Sequence, residues 1–149
     1  MLTDFLKPSG QLKIVLRDKD GNIKSEQNEK NLVVTTGLNY IAARMTDTSV
    51  PTDMSHMAVG TGTTAAAAGQ TALVTESARV ALTGGEGAPS TNTIVYTATF
   101  PAGTGTGALT EAAVLNASSS GTMLCRTVFS AVNKGADDSV TITWTITIS

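Results

Sequence analysis

The end of the chain contains the stretch that decides the fold, Val140-Thr-Ile-Thr-Trp-Thr-Ile-Thr-Ile148. Apolar and threonine side chains alternate without a break, and this period of two is typical of a β-strand with one buried face. A strand of this kind needs a second layer of structure over its apolar face. The stretch therefore predicts the central buried face of a layered β protein, formed by Val140, Ile142, Trp144, Ile146 and Ile148.

Upstream segments alternate in the same way and predict further strands. Leu12, Ile14 and Leu16 share one face of a strand, and a polar turn at 18–22 joins it to a second arm that ends near Gln27. Apolar runs and alternation predict other strands at 56–59, 79–83, 92–100, 111–115 and 123–129.

One helix interrupts the strand pattern. Leu38, Ile41, Ala42 and Met45 recur at spacings of three and four, after a threonine that can cap the first turn. Roughly seven or eight strands with one short helix predict a mainly β fold, an antiparallel β-sandwich formed by a single domain over 1–149. We expect the N-terminal hairpin, at about 11–27, to pack on this sandwich or on a neighbouring subunit.

The composition argues against several classes of function. Only 15% of the 149 residues are charged and the net charge is -2, so no basic stripe is available for nucleic acid. Aromatic residues make up 4%, which is too few to favour a typical ligand cleft. The N-terminus lacks the pattern of a secretory signal, and no apolar run approaches the roughly 20 residues that span a bilayer. We therefore expect a soluble protein without a nucleic-acid or membrane partner.

The most suggestive ligand pattern is Asp18-x-Asp20-x-Asn22 with Glu29 downstream. These oxygens stand at the offsets of a calcium-binding helix-loop-helix loop. However, Ile23 occupies the sixth position, where that loop requires glycine, and the flanking segments alternate as strands. The pattern therefore indicates a hairpin turn, and we expect no calcium binding here.

Other candidate groups lack the partners that chemistry requires. The glycine-rich stretches 60–65 and 103–107 resemble phosphate-binding loops, but neither opens an obvious helix or carries the phosphate-binding lysine. The single histidine, His56, and the single cysteine, Cys125, lack the further ligands or acid-base partners of a metal or catalytic site. We expect no catalytic residue, no metal site and no cofactor. A single cysteine also excludes an intrachain disulfide, which suits a reducing cytoplasm.

Four charged residues are candidates for structural clamps or for contacts at an interface. Glu76 and Arg79 are three residues apart, a spacing that permits a local ion pair on a helical turn. Glu111 and Arg126 belong to neighbouring strand candidates and can pair across them. A solvated surface position is the alternative for each of the four.

Two glycine-rich loops are candidates for an interface. The segments 61–69 and 102–107 contain too few large side chains to pack against themselves, so we expect them to become ordered against neighbouring subunits. The glycines in or beside these loops are Gly60, Gly62, Gly103, Gly105 and Gly107.

Two stretches carry a resemblance to a known group of proteins, Ala58-Val-Gly-Thr-Gly-Thr-Thr64 and Gly69-Gln-Thr-Ala-Leu-Val-Thr-Glu-Ser-Ala-Arg79. Their pattern of an apolar strand, a Gly-x-Gly loop and Thr-Ala-Leu-x-x-Glu-x-x-Arg resembles tail-fibre and related virion proteins of tailed bacteriophages. The stretches 109–115 and 123–130 resemble the same group, and the likeness covers roughly 32–148. The chain departs from the pattern at Ala113, where glycine is common, and at Ala131, where proline is common.

The resemblance implies a non-enzymatic structural subunit of a tailed-phage virion, made in the host cytoplasm. It would be a small oligomeric tail or fibre-attachment protein on the particle exterior, with copies of itself and other virion proteins as partners. Two alternatives stay open, a capsid decoration protein and a glycan-binding module, although glycan binding would favour aromatic platforms that the chain lacks. Because the chain stops after the shared module, we expect no receptor-binding tip.

Overall fold

An antiparallel sheet of nine strands, curled on itself, makes up most of the fold. The computed structural model describes residues 6–46 and 48–149. In chain order the elements are β1 Pro8–Arg17, β2 Ile23–Val33, α1 Thr35–Ala43, β3 His56–Gly60, β4 Glu76–Ala81, β5 Ala88–Ser90, β6 Thr93–Phe100, β7 Gly107–Leu115, β8 Met123–Lys134 and β9 Ser139–Ile148.

The curl of the sheet produces two facing layers. The strand order is β4-β3-β7-β8-β2-β1-β9-β6-β5, and β2 pairs with β8 only at Leu32 and Val33, so the two halves separate there. Near the two edges of the sheet, the Thr83 N–H donates to the Thr97 carbonyl at 2.8 Å and links the segment after β4 to β6. The predicted mainly β, antiparallel fold with one short helix is confirmed, although its layers belong to one continuous sheet.

The apolar face of β9 lies at the centre of the core. Trp144 sits in register between Leu12 of β1 and Tyr96 of β6. Ile148, the fifth predicted member of this face, is only partly buried because β9 ends there beside an open groove. The other four predicted residues are each at most 1% exposed: Val140, Ile142, Trp144 and Ile146.

The N-terminal hairpin is an integral part of the sheet, which corrects the expectation that it packs on the sandwich or on a neighbour. β1 pairs with β9 from Pro8 to Arg17, and it pairs with β2 on its other side. Its apolar face continues the apolar face of β9, because Leu12 pairs with Trp144 and Ile14 with Ile142. The hairpin therefore contributes directly to the core.

Several strands differ from the prediction, and β7 and β8 are longer than predicted, from Gly107 and to Lys134. β2 continues through the polar stretch 28–31, because β1 supplies its hydrogen bonds and its side chains need little burial. β4 begins at Glu76, three residues before the predicted strand, since it pairs with β3 from that residue. β5 is an edge strand of three residues around Pro89, and it is too short to show an alternating pattern.

α1 forms where it was predicted but is not capped by a threonine. The N-cap residue is Val34, and no side chain caps the first turn. The Thr36 hydroxyl instead donates to the carbonyl of Met123 in β8, at 2.8 Å. A hydrogen bond to the sheet thus replaces the expected hydrogen bond within the helix.

The predicted apolar face of α1 packs on the sheet only in part, through the half-buried Ile41. Gly37 is buried, and a side chain there would meet the backbone of Leu124 in β8. This close approach turns Leu38 and Met45 outward, where they are 46% and 79% exposed.

Replacing Trp144 by alanine should lower the free energy of unfolding by about 3–5 kcal/mol, because the core can refill the space only in part. Urea denaturation followed by circular dichroism measures the change. Thr143→Ala, on the opposite face of the same strand, is the matched control and should change the free energy by about 1 kcal/mol at most. An unchanged midpoint for Trp144→Ala would show that the core lies elsewhere.

Candidate functional site

A buried carboxylate, that of Glu111 in β7, holds the loop between β3 and β4. This β3–β4 loop comprises residues 61–75. Glu111 is 0% exposed. Its Oε1 accepts the N–H groups of Gly62 and Thr75 at 3.0 and 2.7 Å, and its Oε2 accepts the N–H of Val74 at 3.0 Å. Both ends of the loop are therefore attached to one side chain.

Arg126 of β8 completes the arrangement. Its Nη2 and Nε donate to Glu111 Oε2 at 2.8 and 3.1 Å, and the guanidinium is also 0% exposed. Arg126 Nη1 donates to Gln70 Oε1 at 2.8 Å, and Nη2 donates to the Thr64 carbonyl at 2.9 Å. The guanidinium thus holds the middle of the loop, and the residues joined by Glu111 and Arg126 form what we term the carboxylate clamp.

The two strands place these side chains within reach. In the β7–β8 pairing Glu111 lies opposite Val128, and Arg126 lies opposite Ala113. The ion pair is therefore diagonal, a separation that a long arginine side chain can span. The sequence prediction that Glu111 and Arg126 can pair across neighbouring strands corresponds to this contact.

The hydrogen bonds determine the charge state of Glu111. Burial would raise the pKa of its carboxyl group, but donors from Thr75, Arg126, Val74 and Gly62 outweigh burial and lower the pKa below the ordinary 4.5. The stability that a lowered carboxyl pKa contributes is present above the unfolded-state pKa and is lost as the pH falls through the folded-state pKa. The clamp is therefore intact at neutral pH and weakens in acid.

The Gly-x-Gly sequence is explained by the same carboxylate. A Cβ atom at Gly62 would lie 2.5 Å from Glu111 Oε1, and one at Gly60 would lie 2.6 Å from it. Only glycine allows the backbone to approach so closely. The loop that resembles a phosphate-binding loop holds an anion from its own chain.

Glu76 and Arg79 form a second ion pair, but on a strand instead of the expected helical turn. Both belong to β4, and the Glu76 carboxylate accepts from Arg79 Nε and Nη2 at 2.9 and 2.7 Å. Arg79 Nη1 also donates to the carbonyls of Ala117 and Ser120, each at 2.9 Å. This pair attaches β4 to the turn between β7 and β8.

The second glycine-rich loop is also held by contacts within the chain. The Gly103 N–H donates to the Ala136 carbonyl at 2.9 Å, and the buried Lys134 donates from Nζ to the Pro101 carbonyl at 2.9 Å. Burial lowers the pKa of Lys134. Three glycines here adopt positive φ angles that favour glycine: Gly103, Gly105 and Gly107. Both glycine-rich loops are therefore held by hydrogen bonds to other parts of the chain.

The remaining candidate residues take part in local contacts. Asp18 Oδ1 accepts the N–H groups of Asp20 and Asn22 at 2.9 Å each, as a hairpin turn requires, and these bonds lower the pKa of Asp18. His56 Nδ1 shares a hydrogen bond with the Ser55 hydroxyl at 2.8 Å. Cys125 is fully buried, and burial raises the pKa of its thiol. In the described ranges, no three potential metal-ligating side chains come together.

A groove of about 420 Å³ with a mainly apolar lining lies between α1 and the ends of β6 and β9. Tyr40 and Tyr96 line it, and burial raises the pKa of both phenols. At its rim Arg44 pairs with Asp53 at 2.8 Å. The sequence did not predict this groove because its lining comes from six separate segments: 40–44, 53–54, 86–89, 94–96, 124 and 146–148.

No family model matches the chain, and no curated protein or solved structure does. No helix in the described part of the chain is both long and apolar enough to cross a membrane.

Replacing Glu111 by glutamine should lower the free energy of unfolding by about 3–5 kcal/mol, because the buried Arg126 then lacks its counter-charge. Glu76→Gln is the matched control. It removes the carboxylate of the more exposed pair and should cost about 1 kcal/mol or less. Equal losses from the two variants in urea denaturation at pH 7 would contradict the assigned role of Glu111.

Gly62→Ala should lower the free energy of unfolding by about 1–3 kcal/mol, since its Cβ would displace the Glu111 carboxylate. Gly69→Ala is the control within the same loop, because a Cβ there meets nothing within 4 Å. We expect it to change the free energy by about 0.5 kcal/mol at most. If both variants unfold at the wild-type urea concentration, the glycine at 62 is not required by the carboxylate.

Proposed function

We propose that the chain is a non-enzymatic structural subunit of a tailed-phage virion, a small tail or fibre-attachment protein on the particle exterior. It would assemble with copies of itself and with other virion proteins. The proposal rests on the positions of the residues that carry the resemblance. The Gly-x-Gly loop, the Glu76–Arg79 pair, Glu111 and Arg126 come from separate stretches of sequence and meet around one loop.

This convergence supports a structural role for the resembling residues. Each group in the carboxylate clamp is engaged by a partner within the chain, and neither Glu111 nor Arg126 is accessible to a substrate. A general acid or base must reach the proton it transfers. Glu111, buried and with a lowered pKa, is unsuited to that task.

The order of the surface loops supports the same proposal. The two ion pairs and the contacts of the second glycine-rich loop fix long connections on the surface of a small sheet. A subunit that must present the same surface to each neighbour benefits from loops that are ordered before assembly, because assembly then costs less conformational entropy.

Labelling intact particles tests the proposal. The gene is tagged at the 3′ end in the phage or prophage that encodes it, particles are purified on a density gradient, and the tag is imaged with gold-conjugated antibody. Untagged particles are the control. We expect gold at the tail or at the base of its fibres.

The other outcomes separate the alternatives. Gold distributed over the head would overturn the tail assignment and favour a capsid decoration protein. A chain absent from purified particles would overturn the virion assignment altogether. Saturable binding of the purified chain to a glycan, lost when Tyr40 in the groove is changed to alanine, would favour the glycan-binding module.

A further inference from the structure

The groove beside α1 has a polar group without a partner at its floor. Tyr96 of β6 lines the groove and is only 7% exposed. Within residues 6–46 and 48–149, no group forms a hydrogen bond with its phenol hydroxyl. Buried polar side chains in proteins nearly always have a hydrogen-bond partner. Unlike the buried Nε1 of Trp144, the hydroxyl is not enclosed by the core, so a group bound in the groove can reach it.

A carboxylate without a counter-charge stands at the rim. Glu86 lines the groove in the segment between β4 and β5, and none of the ion pairs of the described residues includes it. The other two charged residues of the lining, Arg44 and Asp53, pair with each other at 2.8 Å. Lys7, which precedes β1, is not part of the lining. The rim therefore carries one uncompensated negative charge.

The backbone at Gly87 holds Glu86 close to the Tyr96 ring. A Cβ atom at Gly87 would lie 2.5 Å from Cε1 of Tyr96 and 2.6 Å from Cγ2 of Ile94, so the backbone passes directly against the ring. Cε1 is bonded to the ring carbon that carries the hydroxyl. The carboxylate at the rim and the hydroxyl at the floor therefore belong to the same part of the groove.

We propose that the groove binds a small organic cation, with its ammonium group at Glu86, its apolar body in the groove and a hydrogen-bonding group at the Tyr96 hydroxyl. The groove volume of about 420 Å³ lies within the range of small-molecule sites, roughly 300–1,000 Å³. Such sites combine a mainly apolar lining with a few polar groups that fix the orientation of the ligand. Glu86 and Tyr96 supply these groups.

The charges and the aromatic rings select a cation. The guanidinium of Arg44 is bound to Asp53 and to the Pro51 carbonyl, so an incoming anion would find no free counter-charge in the lining. Both tyrosines of the chain, Tyr40 and Tyr96, line the groove, and aromatic rings attract cations. An aromatic amine with a hydroxyl at the end opposite its ammonium group, such as tyramine, presents both of the required groups.

NMR titration of the full chain tests the site. We expect tyramine to shift the amide signals of Gly87, Ile94 and Tyr96 saturably, with a dissociation constant on the order of 1 mM for a ligand of about ten non-hydrogen atoms. Phenethylamine, which lacks the hydroxyl, should bind about three- to tenfold more weakly. The anion 3-(4-hydroxyphenyl)propionate should not saturate. The proposal does not depend on the virion assignment, because purified protein tests it.

Two variants separate the roles of the polar groups. Tyr96→Phe should reduce the affinity for tyramine to that for phenethylamine, and it should fold because the hydroxyl has no partner in the described chain, which circular dichroism verifies. Glu86→Gln should weaken the binding of both amines about three- to fivefold. Asp137→Asn is the matched control, because it removes the same charge from an exposed position at the other end of β9 and should leave both affinities unchanged.

Four results would each overturn the proposal. They are the absence of saturable binding of either amine, equal affinities for tyramine and the anion, equal effects of Glu86→Gln and Asp137→Asn, and a preference for tyramine over phenethylamine that survives Tyr96→Phe. In the last case the ligand hydroxyl would be bound by a group other than Tyr96.

Discussion

A carboxylate without access to solvent imposes the strictest requirement in this molecule. Removing a charge from water costs several kcal/mol, and only a counter-charge together with well-placed hydrogen bonds offsets that cost. Glu111 obtains both, from Arg126 and from the N–H groups of Gly62, Val74 and Thr75. The glycine spacing, the path of the β3–β4 loop and the diagonal strand pairing all serve this one group. A pair with fewer donors would be less stable than an apolar replacement.

The clamp also connects parts of the structure that the sheet alone leaves apart. Thr75 donates to Glu111, and the next residue, Glu76, pairs with Arg79, which binds the turn between β7 and β8. Two adjacent residues thus couple the interior of the β3–β4 loop to the edge strand β4. Edge strands are where sheets fray and aggregate, and this attachment restrains that edge.

Much of the fold follows from the local sequence pattern, and the elements that this pattern did not predict were missed for physical reasons. The alternation in β9 predicted the core because a strict two-residue period of apolar side chains is typical of a strand with one buried face. The continuation of β2 beyond Gln27 and the short strand β5 escaped prediction because neither has an alternating apolar pattern, although each pairs with the strand next to it in sequence, β1 and β6. The helix α1 was predicted correctly, but its orientation depends on the close approach of Gly37 to the backbone of Leu124, which no periodicity encodes.

The candidate site was predictable in its charges but not in its hydrogen bonds. In a chain with few charged residues, Glu111 and Arg126 on adjacent strands stood out as a pair. Their partners in the loop could not be inferred, because backbone N–H groups carry no sequence signal and Gln70 reaches Arg126 only in the folded loop. The glycines resemble those of a phosphate-binding loop in sequence, whereas the constraint on them in the structure is steric.

Amide hydrogen exchange at Gly62, Val74 and Thr75, measured by NMR at neutral pH, tests most directly whether the buried carboxylate organises the loop. We expect slow exchange at all three positions, comparable to core amides of β7, because their N–H groups are bound to Glu111. Exchange at the rate of exposed loop amides would contradict it, since the loop would then be held by something other than Glu111.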